Sequence, residues 1–252
     1  PLAGTRPRGK NAAEDTELER ELLADENKQK EFLDTIHKYG LEISALSAHG
    51  NAVHPDKAIA KKFDEDLTNA ILLAEKLGVP VVNTFSGCPG GSPEDKTPNW
   101  VTCPWPDDFS EILEYQWNDV LIPYWKEKVA FAKAHNVHKI ALELHPGFCV
   151  YNPETLLKLR ARVTEKMGPE IGSLIGANFD PSHLIWQGVD PIAAIRELAG
   201  TIYHVHAKDT RVDPYNTACH GVLDTKPYSD EIHRSWVFRT VGYGNNESHW
   251  RD

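Results

Sequence analysis

Five short runs in this chain alternate apolar and polar residues, each closes on a polar cluster, and helix-like segments lie between them. The runs are Leu41–His49, Val79–Phe85, Lys139–His145, Leu174–Asp180 and Thr201–Asp209. Period-two patterning is the mark of a strand, and strands that take turns with helices imply a parallel sheet covered by helices. The helical segments carry their own punctuation. Lys57–Leu77 closes at Gly78, Asn152-Pro153-Glu154 opens a helix that runs to Met167 with Gly168 behind it, and Asp190-Pro191 opens another that stops at Gly200. A capping Asn or Asp, a Pro in the first turn and a Gly past the end are the signals such helices need.

Parity within the runs separates a barrel from an open sheet. Glu143 and His145 share one face of their run, opposite Ile140, Leu142 and Leu144. Asn178 and Asp180 oppose Ile175, Ala177 and Phe179, and His204, His206 and Lys208 oppose Tyr203, Val205 and Ala207. Ser47 pairs with His49 in the same way, and Asn83 stands between Val81 and Phe85. One face is thus apolar for packing on helices, and the other gathers polar groups at the C-terminal ends of the strands. That is the pattern of a barrel interior opening into an active-site mouth. An open doubly wound sheet would be aliphatic on both faces and would carry a Gly-rich first turn, which is absent.

A length of 252 residues suits a single α/β domain, so 1–252 is taken as one (β/α)8 barrel domain, represented by strands three to seven. Residues 1–13 read as irregular, and Asp15–Tyr39 reads as a helix with Leu18, Leu22, Leu23, Phe32, Leu33 and Ile36 as its stripe. Residues 86–114 hold three glycines, five prolines, Trp100, Trp105 and Phe109. Structureless loops beyond roughly 12–15 residues are commonly lids, and this one follows a strand, so it is expected over the mouth. The formal charge of −10 argues against nucleic acid as a partner. No apolar run approaches the roughly 20 residues that cross a bilayer, and no signal-peptide pattern opens the sequence. Four cysteines without a paired spacing agree with a reducing compartment, so a cytoplasmic protein without a membrane partner is expected, with self-association left open.

The chemistry rests on Glu143, Asp180 and His206, each at the C-terminal end of a different strand and each facing inward. Two carboxylates and an imidazole aimed at one point repel or lose solvation unless a cation joins them. The bland alternative is that each is separately hydrogen-bonded in a polar core. A two-oxygen, one-nitrogen set suits a divalent ion, with manganese the first choice and magnesium, cobalt or zinc also compatible. His145 shares the face of Glu143 nearer the mouth and is a candidate to move a proton or to bind substrate. His49, His183, Lys208, Arg211 and Trp105 are candidate substrate contacts, although a salt-bridged rim would account equally well for Lys208 and Arg211.

The segments Ala48-His49-Gly50-Asn51, Glu143-Leu144-His145-Pro146-Gly147, Asn178-Phe179-Asp180-Pro181-Ser182-His183 and His204-Val205-His206-Ala207-Lys208-Asp209 together resemble the xylose-isomerase-like TIM-barrel family, the sugar phosphate isomerase/epimerase group. The resemblance runs from about Leu22 to the end of the sequence. It implies that Glu143, Asp180 and His206 bind the metal and that His183 contacts substrate or a second ion. It also implies an isomerase or epimerase of a small sugar, sugar phosphate or cyclitol. In that chemistry the metal holds adjacent carbonyl and hydroxyl oxygens while a carboxylate moves a proton through an enediolate. The sequence departs from the family at its end, where no glutamate comparable to the family's last-strand ligand follows His206; Glu231 and Glu247 stand in contexts unlike strands.

Three rivals are weighed against this reading. An apurinic-site endonuclease of the same superfamily would need further zinc ligands just before Gly242-Tyr243-Gly244, where the chain has Trp236-Val237-Phe238. A lyase or deglycosidase acting on oxidised (3-keto) glycosides would use the same metal and a histidine base such as His145. A sugar-binding subunit without catalysis would keep the barrel and lose the base.

Overall fold

The computed structural model describes residues 12–251. Five parallel strands form one sheet in the order of the chain, β1 (Leu46–Ala48), β2 (Val81–Thr84), β3 (Lys139–Glu143), β4 (Ile175–Phe179) and β5 (Ile202–Val205). Each strand lies inside one of the five expected runs and is shorter than it. The TIM-barrel architecture is therefore present as a five-stranded parallel arc, and no closed barrel is formed among the described residues. The expected irregular segment 1–13 falls outside the described residues except for Ala12 and Ala13, which open a helix.

The N-terminal helix expected over 15–39 is two helices, α1 (Ala12–Ala24) and α2 (Glu26–Lys38). Asp25 divides them because its carboxylate accepts from Asn27 N at 2.8 Å, capping α2 in competition with a continuous helix. Next comes α3 (Lys57–Leu77), which starts at the Asp56 cap and ends at Gly78 with φ 66. That positive φ closes the helix without a Cβ clash. Its buried face, Leu67, Ala70, Ile71, Leu73, Ala74 and Leu77, packs with Leu46, Val82, Ile140, Leu142, Ile175 and Ala177 in the main core, so the apolar strand parity points outward to the helices. No described helix is long and apolar enough to cross a membrane.

Residues 86–107 are irregular and lead into α4 (Asp108–Glu114), a π-helical turn (Tyr115–Leu121) and α5 (Ile122–Ala134). The loop is pinned to the scaffold. Gln116 Nε2 donates to the carbonyls of Pro89, Gly90 and Asn99 at 3.2, 3.1 and 2.6 Å. Asn51 and Cys88 exchange two hydrogen bonds of 2.7 and 3.0 Å, and the buried Trp125 Nε1 donates to Ser86 O.

After β3 come α6 (Pro153–Met167) and α7 (Pro169–Gly172), and after β4 come α8 (Pro181–Trp186) and α9 (Pro191–Glu197). The fifth expected run splits. Its first half is β5, whereas Asp209 opens β6 (Asp209–Val212), which leaves the arc and pairs antiparallel with β7 (Trp236–Arg239) around α10 (Pro214–His220). A terminal helix, α11 (Glu247–Arg251), follows.

The β4–β5 register explains how an outward apolar residue and an inward histidine coexist at even positions. Ala177 pairs with Ile202 but Asn178 pairs with His204, so Tyr203 is the extra residue of a bulge. Ile202 stays with the outer core while His204 turns inward to Asn178, Asn83 and Ser44.

Candidate active site

Glu143 ends β3 with its side chain inside the arc, 5% exposed. Asp180 follows β4 and caps α8, its Oδ1 accepting from Ser182 N at 2.9 Å and from Ser182 Oγ at 2.6 Å. Pro181 in the first turn gives up no needed N–H, so the Asp-Pro pair forces a short helix at the strand end. Oδ2 of Asp180 is left for the interior. His183 lies three residues on, one helical turn from its cap. Its Nε2 comes 3.6 Å from Asp180 Oδ2 and 3.1 Å from Glu143 Oε1. One ligand atom each from Glu143, Asp180 and His183 falls within 4.8 Å of the other two, and all three residues are buried.

The other oxygen of Glu143 has its own partners. Oε2 lies 3.2 Å from His49 Nε2, 3.1 Å from His206 Nδ1 and 3.3 Å from Asn178 Nδ2, which donates to it. Burial on its own would raise this carboxyl, but the hydrogen bonds from His183, His206 and His49 outweigh burial and hold it well below the usual carboxylate range. Glu143 is thus an anion with little proton affinity.

The chemistry of this donor set fits a divalent cation. Asp180 Oδ2 is buried and accepts no well-aligned hydrogen bond. The Lys208 ammonium lies 2.8 Å from that oxygen and 3.0 Å from His183 Nε2, so positive charge already gathers where two of the three ligand atoms meet. The contact is electrostatic, and it does not satisfy the geometry of a hydrogen bond at Oδ2.

The expected site residues fall into three places. Glu143, Asp180, His183, Lys208, His49 and His206 are mutually connected as described. His206, expected beside Asp180 as the third ligand, stands instead at the far oxygen of Glu143, and His183 takes the position beside Asp180. His145 sits at the edge of the cluster, its ring centroid 4.0 Å from that of His183. Burial, then the neighbouring His183, pushes its imidazole down to about 4. Its Nδ1 is 2.6 Å from the Pro146 carbonyl, which selects the tautomer with the proton on Nδ1 and the lone pair on Nε2. Arg211 and Trp105 lie apart from the cluster. Arg211 is exposed on β6, and Trp105 is 73% exposed on the 86–107 loop.

The loop contributes a different tryptophan. Trp100 joins His145, His183, Trp186, Tyr228 and Trp236 around a cavity of about 240 Å³ beside the cluster. Sequence reasoning gave these aromatics no place in the site and assigned no role to Asn178, which is 0% exposed and links Glu143 to His204 and His206. Asn178 was legible from its parity with Asp180. The aromatic wall was not, because it needs the β6–β7 pairing.

Comparison with known proteins agrees with this fold. Residues 9–241 match the family described as xylose isomerase-like TIM barrel. Protein YfiH of Bacillus subtilis, whose own function is uncharacterized, is 44% identical over 235 residues, 92% of this chain and 72% of its length. A xylose isomerase domain protein from Planctomyces limnophilus superposes with a TM-score of 0.55 at 16% identity, covering 89% of this chain and 70% of that one. A xylose isomerase-like TIM barrel protein from Mycobacterium smegmatis, solved in complex with magnesium, gives 0.51 at 19% identity over 81% of this chain and 68% of its own. This chain belongs to the xylose isomerase-like TIM barrel family.

Proposed function

We propose that the protein is a metal-dependent isomerase or epimerase that moves a proton beside the carbonyl of a small sugar, sugar phosphate or cyclitol. The observation that carries this reading is the convergence of Glu143, Asp180 and His183 within 4.8 Å at the C-terminal ends of β3 and β4. Glu143, Asp180 and His183 would hold a divalent ion, which would polarise a carbonyl and make the neighbouring C–H more acidic. Manganese suits the donor set, and the magnesium found in the Mycobacterium smegmatis relative supports a divalent ion of this kind.

The chain's own residues divide the remaining work. Glu143 and Asp180 supply carboxylate oxygens and His183 an imidazole nitrogen. His145 is the base by its geometry, because its Nδ1 proton is committed to the Pro146 carbonyl and its Nε2 lone pair is left free. Glu143, held by three histidines, serves as a ligand rather than as the base. Asn178 and His206 orient Glu143, and His49, tilted against Phe85 at 4.6 Å between ring centroids, meets its Oε2. Lys208 supplies charge for substrate oxygens.

The test is deuterium exchange. Candidate ketoses incubated with manganese-loaded protein in D2O are expected to gain deuterium beside the carbonyl, read by NMR, and His145→Gln is expected to abolish the gain. A metal-loaded protein that exchanges no ketose or keto-glycoside proton would overturn the proposal.

A further inference from the structure

The cavity beside the cluster is walled by rings that the proton-transfer chemistry does not use. Trp186 and Trp236 stack face to face at 4.4 Å with 4° between their planes. The Arg234 guanidinium lies 4.6 Å from the ring centroids of both Trp236 and Tyr228, and it is itself 2% exposed, so the wall is braced from behind. Tyr228, 60% exposed, and Leu223, 63% exposed, form an open apolar rim. His145, His183 and Thr225 also line it, so whatever fills the cavity adjoins the reacting groups.

The cavity's charges are already used. Asp224, in the lining, accepts from Ser235 N at 2.7 Å and Lys226 N at 3.0 Å, and it holds the Lys226 ammonium at 2.9 Å with Arg234 at 3.9 Å. Neither cation is left for a phosphate, and the carboxylate would repel one. The buried indole nitrogens of Trp100 and Trp186 find no acceptor in the protein. Each is an unsatisfied donor that a ligand oxygen could pair.

The geometry points to this cavity as a subsite for a second, uncharged ring carried by the reacting carbonyl sugar, which makes the substrate a two-ring carbonyl compound rather than a free or phosphorylated monosaccharide. The assignment rests on the proton-transfer reading of the adjoining cluster. A preformed aromatic wall stacks a ring at little ordering cost, and a phosphate gains nothing there.

Calorimetric titration with phenyl β-glucoside, cellobiose, glucose and glucose 6-phosphate tests it. At least one two-ring compound is expected to bind about tenfold tighter than glucose, the scale of one stacked ring, and glucose 6-phosphate no tighter than glucose. Which of the two gains more tells an aryl from a sugar ring. Tyr228→Ala at the exposed rim, and Thr225→Trp, which fills the cavity, are each expected to remove the advantage and leave glucose binding unchanged. Glu143→Gln is expected to lose metal yet keep the advantage. A Glu143→Gln protein that retained its metal would therefore defeat the site reading without touching this result. Equal binding of glucose and both glycosides, tighter binding of glucose 6-phosphate, or an unaffected Thr225→Trp protein would overturn the subsite.

Discussion

Lys208 Nζ lies 2.8 Å from Asp180 Oδ2, an oxygen that has no aligned hydrogen-bond donor. The ammonium is a tethered cation at the edge of the proposed metal position, so an incoming divalent ion must repel it or displace it. Lys208→Met is expected to tighten manganese binding at least about tenfold in titration calorimetry, because like charges this close oppose each other strongly in a buried site. Unchanged or weaker binding would show that Lys208 positions Asp180 instead.

Two of the three histidines at Glu143, His183 and His206, are separable. His183 Nε2 reaches Oε1 and Asp180, whereas His206 Nδ1 reaches only the other oxygen, Oε2, at 3.1 Å. His183→Ala is expected to lose bound metal, and His206→Ala to keep most of it with slower turnover. Metal analysis of the two purified variants decides, and the reverse order would restore His206 as the ligand.

Asp209 ties the β6 start to the C-terminal turn. Its Oδ2 accepts from Gly242 N, Gly244 N and Asn245 N, each at 3.0 Å, and it is buried. Burial raises its carboxyl, but the hydrogen bonds from Asn245, Gly244 and Thr210 prevail and leave it at about 2, below an ordinary value of 3.8. A depressed folded-state value means that its stabilisation is complete above 3.8 and is lost as pH falls toward about 2. Asp209→Asn is expected to cost about 2 kcal/mol at pH 7 and to flatten the acid limb of the stability curve between those two values. Urea melts across that range measure both, and an unchanged acid limb would count against the hydrogen-bonded carboxylate.

Gly176 leaves room for the bulge. A Cβ there would meet Tyr203 Cδ2 at 2.3 Å and the Thr201 carbonyl oxygen at 2.5 Å. Gly176→Ala is expected to destabilise the fold by about 1–3 kcal/mol in thermal or urea melts. Tyr203→Ala in the same chain is not expected to rescue it, because the backbone oxygen cannot be trimmed. A neutral Gly176→Ala would argue against the Ala177–Ile202 register.

The parallel arc was legible because each strand announces itself by parity and each intervening helix by its cap, as at Asp56 and Gly78 or Asn152 and Gly168. Strand ends were overrun, since residues such as Leu41 and Phe85 continue the apolar alternation without a ladder partner. The cap at Asp25 hid inside a helical stripe. The β6–β7 pair was missed for a different reason: Asp209–Val212 continues the alternation of β5, and its partner is 24 residues away, from Val212 to Trp236. That pairing builds the aromatic wall, so the wall was hidden too. Glu143 and Asp180 were readable from strand parity. The position of His183 follows from the helical spacing after Asp180, a local signal that strand parity alone overlooks.

Metal content tests the central claim most directly. Protein purified after manganese supplementation is expected to carry a single divalent ion per chain, and Glu143→Gln and Asp180→Asn, with circular dichroism unchanged, are expected to carry almost none. A native protein that takes up no divalent ion, or variants that keep it in full, would contradict the account.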